Sequence, residues 1–244
     1  MDHHGKQRQS RRSDVWWRVI LIVVCVAVTS IKAQNSELRQ RLADLQQAAA
    51  LNKQMLGKYT WVQQVTISVK GEQKRQERFQ VQLAPNEQPQ KTSLDAPSSS
   101  EIGAREGRLK KHFVPKKKEE YEEYANQIKS LIEQYVPPDR EMLQQAFDRG
   151  NVMVGRSGSP GEYRIVIANY IKQGDNVDLI IDRAEKDLVN LSIVTYLNDA
   201  TDAVNVLVQF SRVPEGPNHV STETISGVGQ HLTITIENTN YQKL

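Results

Sequence analysis

Tyr59-Thr60-Trp61-Val62-Gln63-Gln64-Val65-Thr66-Ile67-Ser68-Val69-Lys70-Gly71 is the stretch that decides the fold. Trp61, Val65, Ile67 and Val69 share one parity, and Thr60, Gln64, Thr66 and Ser68 share the other. That is the two-residue period of a half-buried strand. Lys70-Gly71 supplies a turn, after which Phe79, Val81 and Leu83 alternate with Gln80 and Gln82. A β-hairpin with one apolar and one polar face follows, and such a pair needs cover on one side only.

The same pattern returns from Asn151 onward. Tyr163–Ile171 carries apolar residues on both parities and is expected to lie centrally in a sheet. Val177–Ile181, Leu188–Leu197, Asn205–Val213 and Thr222–Ile225 follow, with a turn at Gly227-Val228-Gly229. Leu232, Ile234 and Ile236 then alternate with Thr233, Thr235 and Glu237. No helical pattern separates these strands. They read as an antiparallel meander, which disfavours a parallel nucleotide-binding sheet.

Helical spacing occupies the remainder. Leu38, Leu42, Leu45, Ala49 and Leu56 recur at three and four residues, predicting a helix over 35–57 that ends at Gly57. Residues 84–107, rich in Pro, Ser and Gln, read as a mobile loop. A helix over 116–135 carries Tyr121, Tyr124, Ile128, Leu131, Ile132 and Tyr135 along one side, and Pro137-Pro138 stops it. Asp139 opens a second, shorter helix with Met142, Leu143, Ala146 and Phe147 inward, ended by Gly150. The basic residues Arg108, Lys110, Lys111 and Lys116–Lys118 read as the charged start of a solvated helix. Glu119, Glu120, Glu122 and Glu123 largely neutralise them. The fold class is α+β, in a single domain over 34–244.

Residues 1–33 form a leader. Lys6, Arg8, Arg11 and Arg12 precede an apolar block from Val15 to Val28, and Ser30-Ile31-Lys32-Ala33 closes it. This is the plan of an export signal cut after Ala33. The block is shorter than the roughly 20 apolar residues a span needs. An uncleaved anchor is the alternative, and the membrane enters only through this leader. Export makes the protein periplasmic or secreted. Cys25, the one cysteine, lies in the leader, so a mature chain has no disulfide, thiolate nucleophile or cysteine metal site. The whole chain has a net charge of +3, but the leader holds six basic and two acidic residues, leaving residues 34–244 at −1. That balance argues against a nucleic-acid partner.

Motifs for chemistry are missing. His112, His219 and His231 stand at no metal-ligand spacing. Gly155-Arg156-Ser157-Gly158-Ser159-Pro160-Gly161 lacks the Lys of a phosphate loop and the Gly two places after the serine of a nucleophile elbow. Asp178 and Asp182 share a strand face but are about 13 Å apart, too far for a carboxylate pair. No catalytic residue, metal or cofactor is assigned, and the reading is non-enzymatic.

Signal, helix, hairpin, helix insert and closing meander follow in that order. Val206-Leu207-Val208-Gln209-Phe210 runs on to Glu215-Gly216-Pro217, and the last strand ends Asn238-Thr239-Asn240-Tyr241. With these residues the chain resembles the LolA/LolB-like lipoprotein-carrier half-barrels, a fold shared by sensor proteins of the RseB type. The segment from Lys116 to Pro138 also resembles that of exported bacterial proteins with the same plan and no assigned activity. The resemblance implies a curved antiparallel sheet, a half-barrel, packed on helices, with an N-terminal helix; the two-helix insert is this chain's departure. It also implies an apolar groove for a lipid-like, lipoprotein or peptide ligand. No family site motif matches, so no functional residue is carried over. Alternation allows Trp61, Ile67, Phe79, Val81, Phe210 and Ile234 to face the concave side, and these are the candidate ligand-binding residues. If Tyr121, Tyr124, Ile128 and Leu131 pack onto all of them, the groove is filled. The protein is then a structural or interaction protein of the envelope.

Overall fold

The structure is a computed structural model and describes residues 40–41, 43–45, 47–95, 113–136 and 139–244. The leader with Ala33, the helix positions Leu38 and Leu42, the basic residues 108–111 and Pro137-Pro138 lie outside the described residues. The chain divides into two compact units, Met1–Asp44 and Leu45–Leu244. In the first, residues 40, 41, 43 and 44 are helical, and Gln40 Nε2 donates to Asp44 Oδ1 at 2.9 Å. All elements named below belong to the second.

Residues 45 and 47–56 are helical and are called α1, closed at Gly57, whose N–H donates to the Lys53 carbonyl at 3.1 Å. The hairpin strands β1 (Tyr59–Val69) and β2 (Glu72–Leu83) follow, then β3 (Pro89–Ser93). Helices α2 (Phe113–Ile132) and α3 (Arg140–Asp148) come next. Seven strands complete the unit: β4 (Val152–Arg156), β5 (Glu162–Ala168), β6 (Asn176–Asp182), β7 (Leu188–Tyr196), β8 (Ala203–Arg212), β9 (Asn218–Gly227) and β10 (Leu232–Lys243). All ten strands join one open, curled antiparallel sheet in the order β3-β2-β1-β10-β9-β8-β7-β6-β5-β4. The last strand returns to pair with the first, which makes hairpin and meander one surface.

Register explains how that surface becomes a core. Directly paired residues point to the same face. Ile67 lies opposite Ile234, Ile234 opposite Ile225, Ile225 opposite Val206, and Val206 opposite Ile193. The row continues through Val177 to Ile167. One apolar row of β-branched side chains therefore crosses seven strands on the inner face, where such residues suit the pleat. The turn at Lys70-Gly71 has φ of 54° and 79°, the left-handed pair that a two-residue hairpin of this twist requires.

The helices cover this row unevenly. Tyr124, Ile128 and Leu131 of α2 are buried. The helix approaches so closely that a Cβ built on Gly227 would stand 2.6 Å from Ile128 Cδ1 and from Tyr124 Cε1. Only glycine leaves that room. Tyr124 Oη donates to Asp202 Oδ1 at 2.6 Å and accepts from the Gly229 N–H, and burial together with the Asp202 carboxylate pushes the phenol up to about 12. Beyond the helix end, buried Tyr135 donates to Asp175 Oδ2 at 2.7 Å and meets Thr195 Oγ1 at the same distance. Asp175 also accepts from the backbone N–H groups of Tyr170, Ile171 and Lys172, so its buried carboxylate is fully engaged. Asp139 caps α3 by accepting from the Met142 N–H at 2.8 Å, and Leu143, Ala146 and Phe147 are buried behind it. Gly150 follows at φ 72°.

Three sequence expectations need correction. Residues 84–107 are not loop throughout, because Pro89–Ser93 pair with β2 as an edge strand. Every residue of that strand is exposed and none but Pro89 is apolar, so it carries no alternation to read. Its order comes from the partner strand, and its polar side chains suit an unpaired edge. Strand β5 lies one place from the β4 edge rather than centrally; Tyr163, Ile165 and Ile167 on one face are buried, while Val166 and Ala168 on the other are half-buried. Tyr135 sits in the turn after α2, which starts at Phe113 and ends at Ile132, not within the helix.

Candidate functional site

The inner face is two surfaces of different exposure. In its β5–β8 half, Ile165, Ile167, Ile181, Ile193, Val204 and Val206 are at most 2% exposed. In its β1–β10–β9 half, Val65, Ile67, Ile225, Ile234 and Ile236 are only half-buried, although the row of paired residues is the same. The helices close the first half and leave part of the second open.

A cavity of about 620 Å³ occupies the open part, within the size range of small-molecule sites. Ile67 and Val69 of β1 and Leu232 and Ile234 of β10 form its floor, and Tyr121 and Ala125 of α2 form one wall. The exposed side chains of Lys70, Glu72, Lys74, Arg75 and Glu122 make its rim. Lys74 Nζ pairs with Glu72 at 2.5 Å, and Arg75 Nη2 pairs with Glu77 at 2.5 Å. Apolar walls with a few polar groups at the rim can hold a chain-like molecule by its hydrocarbon and orient it by its head.

The six candidate residues do not converge on this site. Ile67 and Ile234 lie opposite each other in its floor. Phe210 borders a separate cavity of about 210 Å³ beneath α1, with Leu45, Leu56, Leu188 and Val220. Trp61 and Val81 are core, at 6% and 1% exposure. The Trp61 ring stacks on Tyr241 with centroids 5.5 Å apart and 14° between planes, and its Nε1 donates to Asn238 Oδ1 at 3.2 Å. Asn240, at φ 55°, lies in the β10 bulge opposite Trp61 that sets Tyr241 there. Phe79 is half-buried, with Lys91 Nζ 5.7 Å from its ring centroid.

Other members of the site were open to the same reading and missed. Val69 and Leu232 share parity with Ile67 and Ile234, so alternation alone would have found them. Tyr121 belongs to the helix stripe expected to face the candidate residues; Ala125 meets the sheet from elsewhere in the chain, and no local pattern announces that. Glu223 is a further surprise: its register partners Val208 and Ile236 put a carboxyl on the apolar face. Burial raises that carboxyl above the usual range, against a smaller opposite pull from Lys91. Nearby on β1, the buried Gln63 Oε1 has no hydrogen-bond partner, while Gln63 Nε2 donates to Asn238.

Catalytic groupings are sparse. Ser211 Oγ and His219 Nε2 stand 3.3 Å apart across the β8–β9 pairing, and His219 Nδ1 is 3.1 Å from the Val220 carbonyl. Burial pulls the imidazole below its ordinary value. Ser211 is exposed and borders none of the three cavities described. The third, of about 770 Å³, is an open groove walled by polar groups including Glu119, Glu123, Gln127 and Lys172. Among the described residues no group of three or more His, Cys, Asp or Glu could hold a metal, and no helix is long and apolar enough to cross a membrane.

No protein-family model matches the chain, and no curated protein does. Among solved structures it is similar to the crystal structure of a "putative outer membrane lipoprotein-sorting protein domain" from Vibrio parahaemolyticus. The match has 5% identity and a TM-score of 0.37, over 82% of this chain and 91% of that one. A likeness this distant says nothing about family, ligand or mechanism.

Proposed function

We propose that this chain is an exported, non-enzymatic binding protein that shelters an apolar, lipid-like ligand in the uncovered part of its inner face. One observation carries the reading: the 620 Å³ cavity floored by Ile67, Val69, Leu232 and Ile234, in a row whose other half the helices bury. Each methylene taken from water there is worth about 0.8 kcal/mol, so a chain of several methylenes would bind measurably. The leader, with its cut expected after Ala33, supports a periplasmic or secreted site of action, with anchoring by an uncleaved leader as the alternative. A lipoprotein or peptide segment with an apolar end would use the same floor.

Calorimetric titration of the full chain with dodecanol below its solubility limit tests the reading. Saturable one-site binding is expected. Ile234→Asp places a charge in the floor, and Ala125→Phe fills the cavity from the helix side; each should abolish the heat. The second variant alters only the half-buried wall and guards against misfolding of the first. Absence of saturable binding by the folded wild-type chain would turn the reading to an envelope interaction protein. The burial of the β5–β8 half beneath the chain's own helices favours that second reading.

A further inference from the structure

We infer that the uncovered cavity takes a long-chain monocarboxylate, with its hydrocarbon between Ile67, Val69, Leu232 and Ile234 and its carboxylate on Lys70. This rests on the cavity being a ligand site at all, and goes on to name the class of head group. The rim charges carry it. Three cations, Lys70, Lys74 and Arg75, border the cavity together with two carboxylates, Glu72 and Glu122. Glu72 holds Lys74, and Glu77, outside the lining, holds Arg75. Lys70 forms no ion pair with a described residue.

The backbone of Lys70 is also fixed in place. Its backbone N–H donates to the His231 carbonyl at 2.9 Å, and its φ of 54° sits in a two-residue turn. The turn follows Val69 directly, and Val69 pairs with Leu232 in the floor. The Lys70 side chain thus leaves the backbone at the end of an apolar trough and borders the cavity, within reach of the head of a bound chain. One unengaged cation complements one negative charge. A dianionic phosphate head would leave charge over, facing Glu72 and Glu122, which repel it. A neutral head would leave Lys70 without a partner.

The test titrates the full chain by calorimetry at low salt and mildly alkaline pH, where a carboxylate is ionised. Dodecanoate, dodecanol and dodecyl phosphate are compared, each below its micelle or solubility limit. Dodecanoate should bind about fivefold tighter than dodecanol, the upper range for an exposed ion pair, and the margin should shrink as salt is added. Lys70→Asn keeps a residue that tolerates the left-handed turn and removes the charge. It should weaken dodecanoate more than dodecanol and so erase the margin. Equal affinities for dodecanoate and dodecanol, tighter binding of dodecyl phosphate, or an equal loss for both single-chain ligands in Lys70→Asn would overturn the inference and leave the binding function standing. If neither dodecanoate nor dodecanol binds, the function falls and the inference with it.

Discussion

Glu223 shows at a single position how register overrides composition. Its strand, β9, is rich in polar residues, and nothing in Thr222-Glu223-Thr224 marks a carboxyl as inward. Pairing with Val208 and Ile236 puts it there. Burial raises its carboxyl above the ordinary 4.5, so the folded chain holds the proton more tightly than the unfolded one. That contribution to stability is complete below about pH 4.5 and is lost as pH rises through the higher folded value. At neutral pH Glu223 is therefore less favourable than a neutral side chain of the same shape. Glu223→Gln should raise the melting temperature at pH 7 and change it little at pH 4, as thermal unfolding followed by circular dichroism would register. An equal shift at both pH values would mean that the carboxyl is not desolvated. His219 works in the opposite direction, since its lowered value costs stability as pH falls below about 6.5.

At the scale of elements, α2 and α1 are seated differently. Asn52 of α1 donates to Asp187 Oδ1 at 2.8 Å and accepts from the Asn218 N–H at 3.1 Å, while Arg212 pairs with the same Asp187. That is a polar clamp at one end of β7, β8 and β9. The seat of α2 combines close packing on Gly227 with the Tyr124 hydrogen bonds to Asp202 and Gly229. Gly227→Ala would drive a methyl into Ile128 and Tyr124 and should cost about 1–3 kcal/mol, the usual price of overpacking. For a domain of this size that lowers the melting temperature by several degrees. Differential scanning calorimetry checks it, and an unchanged transition would mean that α2 does not rest there. The α2 seat also bounds the ligand cavity, whose wall is Tyr121 and Ala125 one turn further toward the helix start.

Across the whole molecule, one sheet carries two levels of protection. Residues of the β5–β8 half lie in a closed core, whereas the β1–β10–β9 half has a partly open floor and ends in the polar edge strand β3. Opening free energy follows buried apolar contact. Amide hydrogen exchange should therefore be slowest in β5 to β8 and faster in β1, β2 and β3. A bound lipid-like ligand should slow exchange in β1 and β10 selectively, because a ligand stabilises the states that hold it. Uniform protection across all ten strands, unchanged by ligand, would contradict both the division and the cavity.

The sequence by itself determined the elements that announce themselves through local periodicity. Trp61 to Val69 alternate, Tyr121 to Leu131 recur at helical spacing, Asp139 caps, and Lys70-Gly71 turns; each is a short-range consequence of side-chain direction and backbone sterics. It therefore yielded an antiparallel α+β plan and placed Ile67 and Ile234 on one face. Strand β3 was illegible because an edge strand of polar residues owes its order to its partner. Tertiary structure alone decided which part of the apolar face is covered. Ile67 and Val206 are alike in type, stand in the same paired row and differ only in what lies above them. That depends on where α2 lies on the sheet, and its close approach needs the absence of a side chain at Gly227, far along the chain from the helix. Separating core from cavity needs the distance between two surfaces, and no periodicity within either one contains it.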